Sequence, residues 1–242
     1  MHTLIVIPTY NEAENLPRLV SALFALPLNV RVLVVDDNSP DGTGDVAEAL
    51  KADTAGRVDV LHRAEKSGLG PAYLAGFRHA LENTPADAIG QMDADFSHAP
   101  EALPRMATLL ENGQTDVALG SRYVPGGRLD DAWPRWRKGL SAFGNVYARS
   151  ILRMPVRDVT GGYRLWKRET LAAMPLERIR ANGYIFQVEM AYVAHKLGFR
   201  IAEVPIYFQE RRWGQSKMSF RIQAEAALGV WQLLWRYRDL SA

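Results

Sequence analysis

The amino-acid sequence predicts an α/β fold in which a doubly wound, mainly parallel sheet is flanked by helices. Two observations predict it: short apolar, β-rich runs alternate with helical patterns along the first half, and polar residues cluster where those runs end. The chain has 242 residues, of which 48% are hydrophobic, enough for one domain with a sizeable core. We therefore expect a single domain, residues 1–242, that binds its ligand at the carboxyl ends of the strands.

The predicted elements follow one another regularly as far as residue 121. An uninterrupted apolar run such as 30–35 is typical of a strand buried on both faces of a parallel sheet. Pro8 ends the first strand, and Asn11 is the expected N-cap of the helix that follows. We predict strands over 3–7, 30–35, 57–61, 88–92 and 116–119, and helices over 12–26, 43–51, 71–82 and 101–111. Beyond residue 122 the pattern loosens, with helices predicted over 135–153, 184–197 and 220–237 and one strand over 200–208.

The charges divide unevenly between the two halves of the chain. Residues 1–121 carry 8 basic and 17 acidic side chains and residues 122–242 carry 21 and 10, so that the halves have formal charges of −9 and +11. The acidic half disfavours nucleic acid as a partner, because it would repel the polyanion. The basic half is rich in arginine, which suits a smaller anion such as a phosphate group.

The sequence also excludes several chemistries. It contains no cysteine, and therefore no disulfide, thiolate zinc site or cysteine nucleophile. It has no P-loop, H-E-x-x-H or G-x-S-x-G motif. The longest late apolar stretch, 226–235, is about half of the roughly 20 residues that cross a bilayer. We therefore expect any membrane contact to be peripheral.

Two acidic clusters directly follow predicted strands. Asp93-Ala94-Asp95 places two carboxylates around one small residue, which suits Mg²⁺ or a similar hard cation that shares its remaining ligands with substrate phosphates. The alternative is an acidic helix cap. Asp36 and Asp37 follow the second strand, where we expect them to reach a ligand base or sugar, whereas Asp41-Gly42-Thr43 is interpreted as a turn and cap.

The second half supplies candidate cationic residues. Arg122 follows the fifth predicted strand and Arg137 lies at the start of a predicted helix, and the alternative for this region is a solvated basic face. Residues 211–217 hold three cations and one glycine, a pattern that fits a lid over an anion and an exposed loop equally well. We expect His98 at the surface of a helix start, and we interpret Glu189 as structural.

Six motifs distributed over residues 3–220 resemble a known family. They are Ile7-Pro8-Thr9-Tyr10-Asn11-Glu12, Val35-Asp36-Asp37-Asn38-Ser39-Pro40-Asp41-Gly42-Thr43, Met92-Asp93-Ala94-Asp95, Gly120-Ser121-Arg122-Tyr123, Thr160-Gly161-Gly162-Tyr163-Arg164 and Gly214-Gln215-Ser216-Lys217-Met218. The first three resemble the inverting glycosyltransferases of family 2, which have the GT-A fold. The complete set is similar to the dolichol-phosphate and polyprenol-phosphate mannose synthases within that family.

The resemblance implies transfer of mannose from GDP-mannose to a polyprenyl monophosphate, with inversion and with Mg²⁺ or Mn²⁺ as cofactor. It implies that residues 1–121 bind the nucleotide sugar and that 122–242, a basic and amphipathic extension, bind the acceptor. The implied nucleotide-sugar ligands are Pro8, Tyr10, Glu12, Val35, Asp37, Asp93, Ala94, Asp95, Arg211 and Lys217. The implied catalytic residues are Asp95, Arg122 and Arg137. Asp93 and Asp95 would bind the metal, with Ser97 where some members of the family have a glutamine ligand.

The resemblance further implies a cytoplasmic protein that is peripheral on the inner face of a membrane, alone or with a separate membrane-anchoring protein. The helix around 136–152 and the terminal helix mix aromatic residues with arginine, as interfacial helices do, and the alternative is that their apolar faces pack on the sheet. Two other functions remain open: a polyprenyl-phosphate glucosyltransferase or other transferase that uses a UDP-sugar, and a non-catalytic regulator that binds a nucleotide sugar.

Overall fold

A computed structural model describes residues 1–209 and 220–240, with side chains for all of these except 220–226. Seven strands form the main sheet in the order β3-β2-β1-β4-β7-β5-β8, and two short strands, β6 and β9, pair beside it. The strands are β1 His2–Thr9, β2 Asn29–Asp36, β3 Val58–His62, β4 Ala88–Gln91, β5 Val117–Ser121, β6 Arg128–Leu129, β7 Arg164–Lys167, β8 Ile201–Pro205 and β9 Tyr207–Phe208. The helices are α1 Leu16–Phe24, α2 Thr43–Asp53, α3 Leu69–Asn83, α4 Leu103–Glu111, α5 Arg135–Ile151, α6 Arg168–Ala172, α7 Tyr184–Lys196 and α8 Phe220–Arg236.

The sheet has an apolar layer on each face, as the prediction of a doubly wound fold requires. Along β1, Leu4 and Val6 face the layer that α3 and α7 cover, whereas Ile5 and Ile7 face the layer that α1 and α4 cover. Because successive side chains of a strand point to opposite faces, the continuous apolar runs of β1 and β2 supply both layers at once. The predicted α/β fold with a mainly parallel sheet is confirmed.

One strand of the sheet was not predicted. β7 lies antiparallel between β4 and β5, so that Gln91 and Leu119 are both register partners of Arg164. It is only four residues long, and it follows a glycine-rich turn and carries a buried arginine, so it lacks the apolar pattern of the other strands. Strands from both sides of residue 122 therefore share one sheet.

Most predicted boundaries differ from the structure by one or two residues, and two elements differ more. The first helix begins at Leu16 rather than residue 12, because residues 12–15 form a turn and Asn11 has a left-handed backbone, with φ of 63°. Asn11 is therefore not the N-cap. The single strand predicted over 200–208 is divided at Ile206 into β8, which joins the main sheet, and β9, which pairs with β6.

Helices α5 and α8 are amphipathic and contact each other beside α7. The inner face of α8 is buried through Val230 and Leu233, as is Tyr237 directly after the helix, but this face packs mainly on α5 and α7, whereas the packing alternative had it on the sheet. Its outer face exposes Leu228, Trp231 and Trp235, and α5 exposes Trp136, Phe143 and Val146. We call these six exposed side chains the apolar face. Within the described residues, no helix has both the length and the apolar character needed to cross a bilayer.

Candidate active site

The carboxyl ends of β1, β2 and β4 enclose a pocket, as the doubly wound topology predicts. Seven of the predicted nucleotide-sugar ligands line it: Pro8, Tyr10, Glu12, Asp37, Asp93, Ala94 and Asp95. Val35 does not line it, because its side chain is fully buried in the core below, where it faces Gly76. Any contact of Val35 with a nucleotide would have to use its backbone. Lys66 also lines the pocket, and its ammonium lies 3.4 Å above the Tyr10 ring.

The two acidic residues at the carboxyl end of β2 have different roles. Asp36 accepts hydrogen bonds from Thr9 Oγ1, Ser39 N and Ser39 Oγ, so it fixes the loop and does not face the pocket. Asp37 faces the pocket and pairs with Arg63 through a 2.5 Å contact. Burial raises the pKa of Asp37, and the opposing effect of Arg63 does not fully offset it. The turn predicted at Asp41 is confirmed, since its carboxylate accepts hydrogen bonds from Thr43 N and Oγ1, but the predicted cap is not: Gly42 is the N-cap of α2, and among the described residues no side chain caps that helix.

Asp93 is held in place by two buried side chains. The hydroxyl of Tyr73, from α3, donates to Asp93 Oδ1 at 3.0 Å, and the Asp93 backbone N–H donates to His98 Nδ1 at 3.1 Å. His98 is therefore not a surface residue: it is buried and stacked on Tyr163 with 5.2 Å between the ring centres. Burial lowers its pKa, which favours the neutral imidazole that can accept from Asp93.

Asp95 and Ser97 form the turn beside Asp93. Ser97 N donates to Asp95 Oδ1 at 3.0 Å, and the buried Ser97 Oγ has no hydrogen-bond partner in the described part of the chain. Among the described residues, no three His, Cys, Asp or Glu side chains form a metal site. Two carboxylates and one unsatisfied hydroxyl fit a hard cation that takes the rest of its oxygen ligands from a substrate.

Arg122 lies at the carboxyl end of β5 in a nearly buried ion pair. Its backbone N–H, Nε and Nη2 donate to Asp158 at 2.9, 2.7 and 2.6 Å, and Nη2 also donates to Thr160 Oγ1 at 2.7 Å. Burial opposes both charges, but the attraction outweighs it: the pKa of Arg122 is raised and that of Asp158 is lowered. Asp158 therefore keeps this arginine charged and oriented.

An aromatic pair connects the two predicted arginines with residues 93–97, which we call the acidic turn. The guanidinium of Arg137 stacks 3.6 Å above the Trp133 ring, and that of Arg122 lies 5.2 Å from the Phe208 ring centre. Trp133 and Phe208 meet edge to face at 5.8 Å, and Phe208 also contacts the His98 ring at 5.6 Å. One region is thus bordered by Arg122, Arg137 and Asp93. The other two predicted cationic ligands, Arg211 and Lys217, lie outside the described residues.

The sequence motifs miss four residues that shape this site: Tyr73, His98, Asp158 and Phe208. Tyr73 follows the apolar pattern of α3 and is indistinguishable from a core residue. Asp158 directly precedes the Val159-Thr160-Gly161-Gly162 turn, and this position was the one signal that could have drawn attention to it. Phe208 ends a predicted strand, so its contact with His98 depends on the chain changing sheets at Ile206.

A mainly parallel sheet with one inserted antiparallel strand and a carboxylate pocket at its edge defines the class of GT-A glycosyltransferase folds. The fold is similar to that of glucosyl-3-phosphoglycerate synthase from Mycobacterium tuberculosis, which was solved with Mn²⁺, UDP and phosphoglyceric acid. The TM-score is 0.68 and the sequence identity is 18%, and the match covers 97% of this chain and 78% of that one. The fold is also similar to that of a mannosyltransferase from Pyrobaculum calidifontis, which was solved with GDP-mannose and Mn²⁺. Here the TM-score is 0.64 and the sequence identity is 17%, and the match covers 97% of this chain and 64% of that one.

The chain belongs to glycosyltransferase family 2 and is a glycosyltransferase, since the model of Glycosyl transferase family 2 matches residues 4–174. It is 48% identical to an undecaprenyl-phosphate mannosyltransferase from Micrococcus luteus, over all of this chain and 98% of that protein. It is 47% identical to a polyprenol monophosphomannose synthase from Mycolicibacterium smegmatis, over 90% of this chain and 81% of that protein. The predicted family resemblance is confirmed.

Proposed function

We propose that the protein transfers mannose from GDP-mannose, with inversion, to a polyprenyl monophosphate. The observation that carries the proposal is the position of two arginines. They contact an aromatic pair next to His98 and the acidic residues of the pocket, and they connect to α5, the helix that carries half of the apolar face. A sugar nucleotide, a phosphate headgroup and a lipid tail each find a matching surface there. The two relatives that are almost half identical in sequence, both named as lipid-phosphate mannose enzymes, support the choice of sugar and acceptor.

The pocket supplies the donor side of this reaction. Asp37 offers a carboxylate oxygen to the N–H groups of a base, and Tyr10 and Lys66 offer an aromatic ring and a cation at the pocket wall. Asp93, Asp95 and Ser97 would hold Mg²⁺ or Mn²⁺, which when bound would neutralise the diphosphate leaving group. Tyr73 and His98 keep the Asp93 carboxylate and its backbone in place for that contact.

The arginines supply the acceptor side. A phosphate monoester is mostly a dianion at neutral pH, so the acceptor is already a nucleophile and needs no general base. The obstacle is repulsion, because two unit charges about 4 Å apart cost roughly 4 kcal/mol at an effective dielectric constant near 20. Arg122 and Arg137 offset this repulsion and orient the acceptor phosphate toward the sugar.

The lipid tail is accommodated by the apolar face. Trp231 Nε1 donates to Tyr147 Oη at 3.0 Å and Tyr147 Oη donates to Ala227 O at 3.2 Å, so α5 and α8 are joined directly. On α5, Arg135 precedes the exposed Trp136 in the sequence, and Arg137 and Lys138 follow it. Aromatic side chains beside cations are typical of helices that lie on an anionic membrane surface. We therefore propose peripheral binding to the cytoplasmic side of a membrane, with or without a separate anchoring protein.

A transfer assay tests the proposal. The purified protein is incubated with radiolabelled GDP-mannose, a polyprenyl monophosphate and Mn²⁺ or Mg²⁺, and organic-phase radioactivity is counted. UDP-glucose in place of GDP-mannose and a polyprenol without phosphate are the controls. The proposal predicts a mannolipid only with GDP-mannose and the phosphorylated lipid. Product from UDP-glucose alone would show a glucosyltransferase, and donor binding without transfer would show a regulator.

A further inference from the structure

Arg122 belongs to a buried cluster of polar side chains. Besides Asp158 and Thr160 it includes Asn145 of α5, whose Nδ2 donates to Thr160 Oγ1 at 3.0 Å and whose Oδ1 accepts from Thr160 N at 3.2 Å. Asp158 and Asn145 are only 0% and 2% exposed. The cluster therefore ties the end of β5 to the helix that carries half of the apolar face.

The turn that carries Asp158 is held in place by hydrogen bonds to β8. Glu203 of β8 accepts the backbone N–H groups of Arg157 and Asp158 at 2.8 and 2.9 Å. Since β8 is the register partner of β5, the arginine and its aspartate are anchored to two neighbouring strands. A side chain as long as that of arginine loses little freedom on binding a ligand when its orientation is already set in this way.

The contacts of Arg122 use one edge of its guanidinium. Both Nε and Nη2 bond to Asp158, in the two-point geometry that arginine forms with a carboxylate. Within residues 1–209 and 220–240, no hydrogen bond is made by the other edge, which carries Nη1, so that edge can receive a second oxyanion. A carboxylate on one edge and a phosphate on the other would hold the guanidinium plane in a single orientation.

We propose that Asp158 is a positioning residue that orients Arg122 for the acceptor phosphate, with Thr160 and Asn145 holding the same geometry. The proposal rests on the function proposed above, since it assigns Arg122 to the acceptor. It predicts that loss of the Asp158 carboxylate weakens acceptor binding and leaves donor binding unchanged. A purely structural ion pair would instead lower stability and affect both substrates alike.

The test compares Asp158→Asn and Thr160→Val with the matched control Asp116→Asn. Asp116 bonds to Arg200 N, Nε and Nη2 in the same pattern at the other end of β5. We measure the KM for polyprenyl phosphate, kcat, and the Kd of GDP with Mn²⁺. Losing a charge-assisted hydrogen bond predicts an acceptor KM raised about 10- to 100-fold in Asp158→Asn. We expect a smaller rise of the acceptor KM in Thr160→Val. The Kd of GDP should stay the same in both variants, and Asp116→Asn should leave the acceptor KM and the Kd of GDP unchanged.

A double-mutant cycle shows whether Asp158 acts through Arg122. In the Arg122→Ala background, Asp158→Asn is expected to have little further effect on the acceptor KM. Additive effects of the two substitutions would overturn the proposal. An unchanged acceptor KM in Thr160→Val, and in Asp158→Asn where that variant folds, would overturn it as well. A wild-type protein that transfers no sugar to a lipid phosphate would instead overturn the proposed function, and the proposal with it.

Discussion

Two arginine–aspartate pairs lie at opposite ends of the same strand and have the same hydrogen bonds. At the carboxyl end of β5, Asp158 accepts from Arg122 N, Nε and Nη2 at 2.9, 2.7 and 2.6 Å. At the amino end, Asp116 accepts from Arg200 N, Nε and Nη2 at 2.9, 3.0 and 2.8 Å. In the first pair the side chain of Arg122 is 9% exposed and that of Asp158 is 0% exposed. In the second pair the side chain of Arg200 is 57% exposed and that of Asp116 is 18% exposed.

The position of an arginine–aspartate pair along the strand, and not its bonding pattern, decides whether the pair belongs to the site. Ligands of doubly wound sheets bind at the carboxyl ends of the strands, and there Arg122 borders His98, Phe208 and the acidic turn. The Arg200 pair closes the opposite end, where it joins β5 to β8 beside Lys167. Equivalent substitutions at the two ends should therefore have unequal effects on activity.

The largest effect is expected from removing an acidic residue of the carboxyl end. Asp95→Ala should lower kcat by more than about 100-fold. Removing even a group that only supports a metal ligand lowers metal affinity or activity about 10- to 100-fold, and Asp95 is expected to be a ligand itself. Asp116→Ala, at the amino end, should retain wild-type kcat. The assay is mannose transfer at saturating donor, with thermal melting to verify that each variant folds. Full activity of Asp95→Ala would remove the metal role of this residue.

The next largest effect is expected at the arginine of the carboxyl-end pair. Arg122→Ala should raise the acceptor KM about 10- to 100-fold while the Kd of GDP stays the same, because a charge-assisted contact with phosphate is lost. Arg200→Ala should leave both quantities unchanged. The measurements are initial rates over a series of lipid-phosphate concentrations and calorimetric titration of GDP. Equal losses of donor and acceptor affinity in Arg122→Ala would contradict its assignment to the acceptor.

A smaller effect is expected from the apolar face, which α5 links to the carboxyl-end pair through Asn145. Trp231→Ser with Trp235→Ser should reduce binding to vesicles that contain anionic lipid and leave the Kd of GDP unchanged. Vesicle flotation measures the bound fraction, with neutral vesicles as the comparison. The exposed Tyr184→Ser is a control for the loss of a single aromatic ring. Unchanged flotation of the double variant would show that this face does not contact the membrane.

The smallest effect is a pH dependence at the amino end. Hydrogen bonds from Arg200 are the main cause that lowers the pKa of Asp116 to about 2 from 3.8. A depressed carboxyl pKa contributes stability that is present above 3.8 and is lost as the pH falls toward 2. The stability difference between wild type and Asp116→Asn should therefore be constant above pH 4 and shrink below it. Urea unfolding at pH 2 to 6 measures this, and a difference that is independent of pH would contradict it.

The sequence predicted the strands and helices of the first half well, since long apolar runs and amphipathic periods are local properties. It also placed Asp93, Asp95 and Asp37 at the pocket, because residues that follow parallel strands meet at one edge. It could not show that Asp158 pairs with Arg122, because 36 residues separate them and only the fold brings them together. His98 was predicted at the surface because nothing local shows that Tyr163 and Phe208 cover it.

The proposed role of Asp93 and Asp95 depends on where the metal ion binds. A crystal grown with Mn²⁺ and GDP-mannose, with anomalous data at the manganese edge, locates the ion without reference to activity. We expect the anomalous peak between the donor diphosphate and the carboxylates of Asp93 and Asp95. A peak elsewhere, or a donor bound in the pocket with no manganese beside either aspartate, would contradict the account.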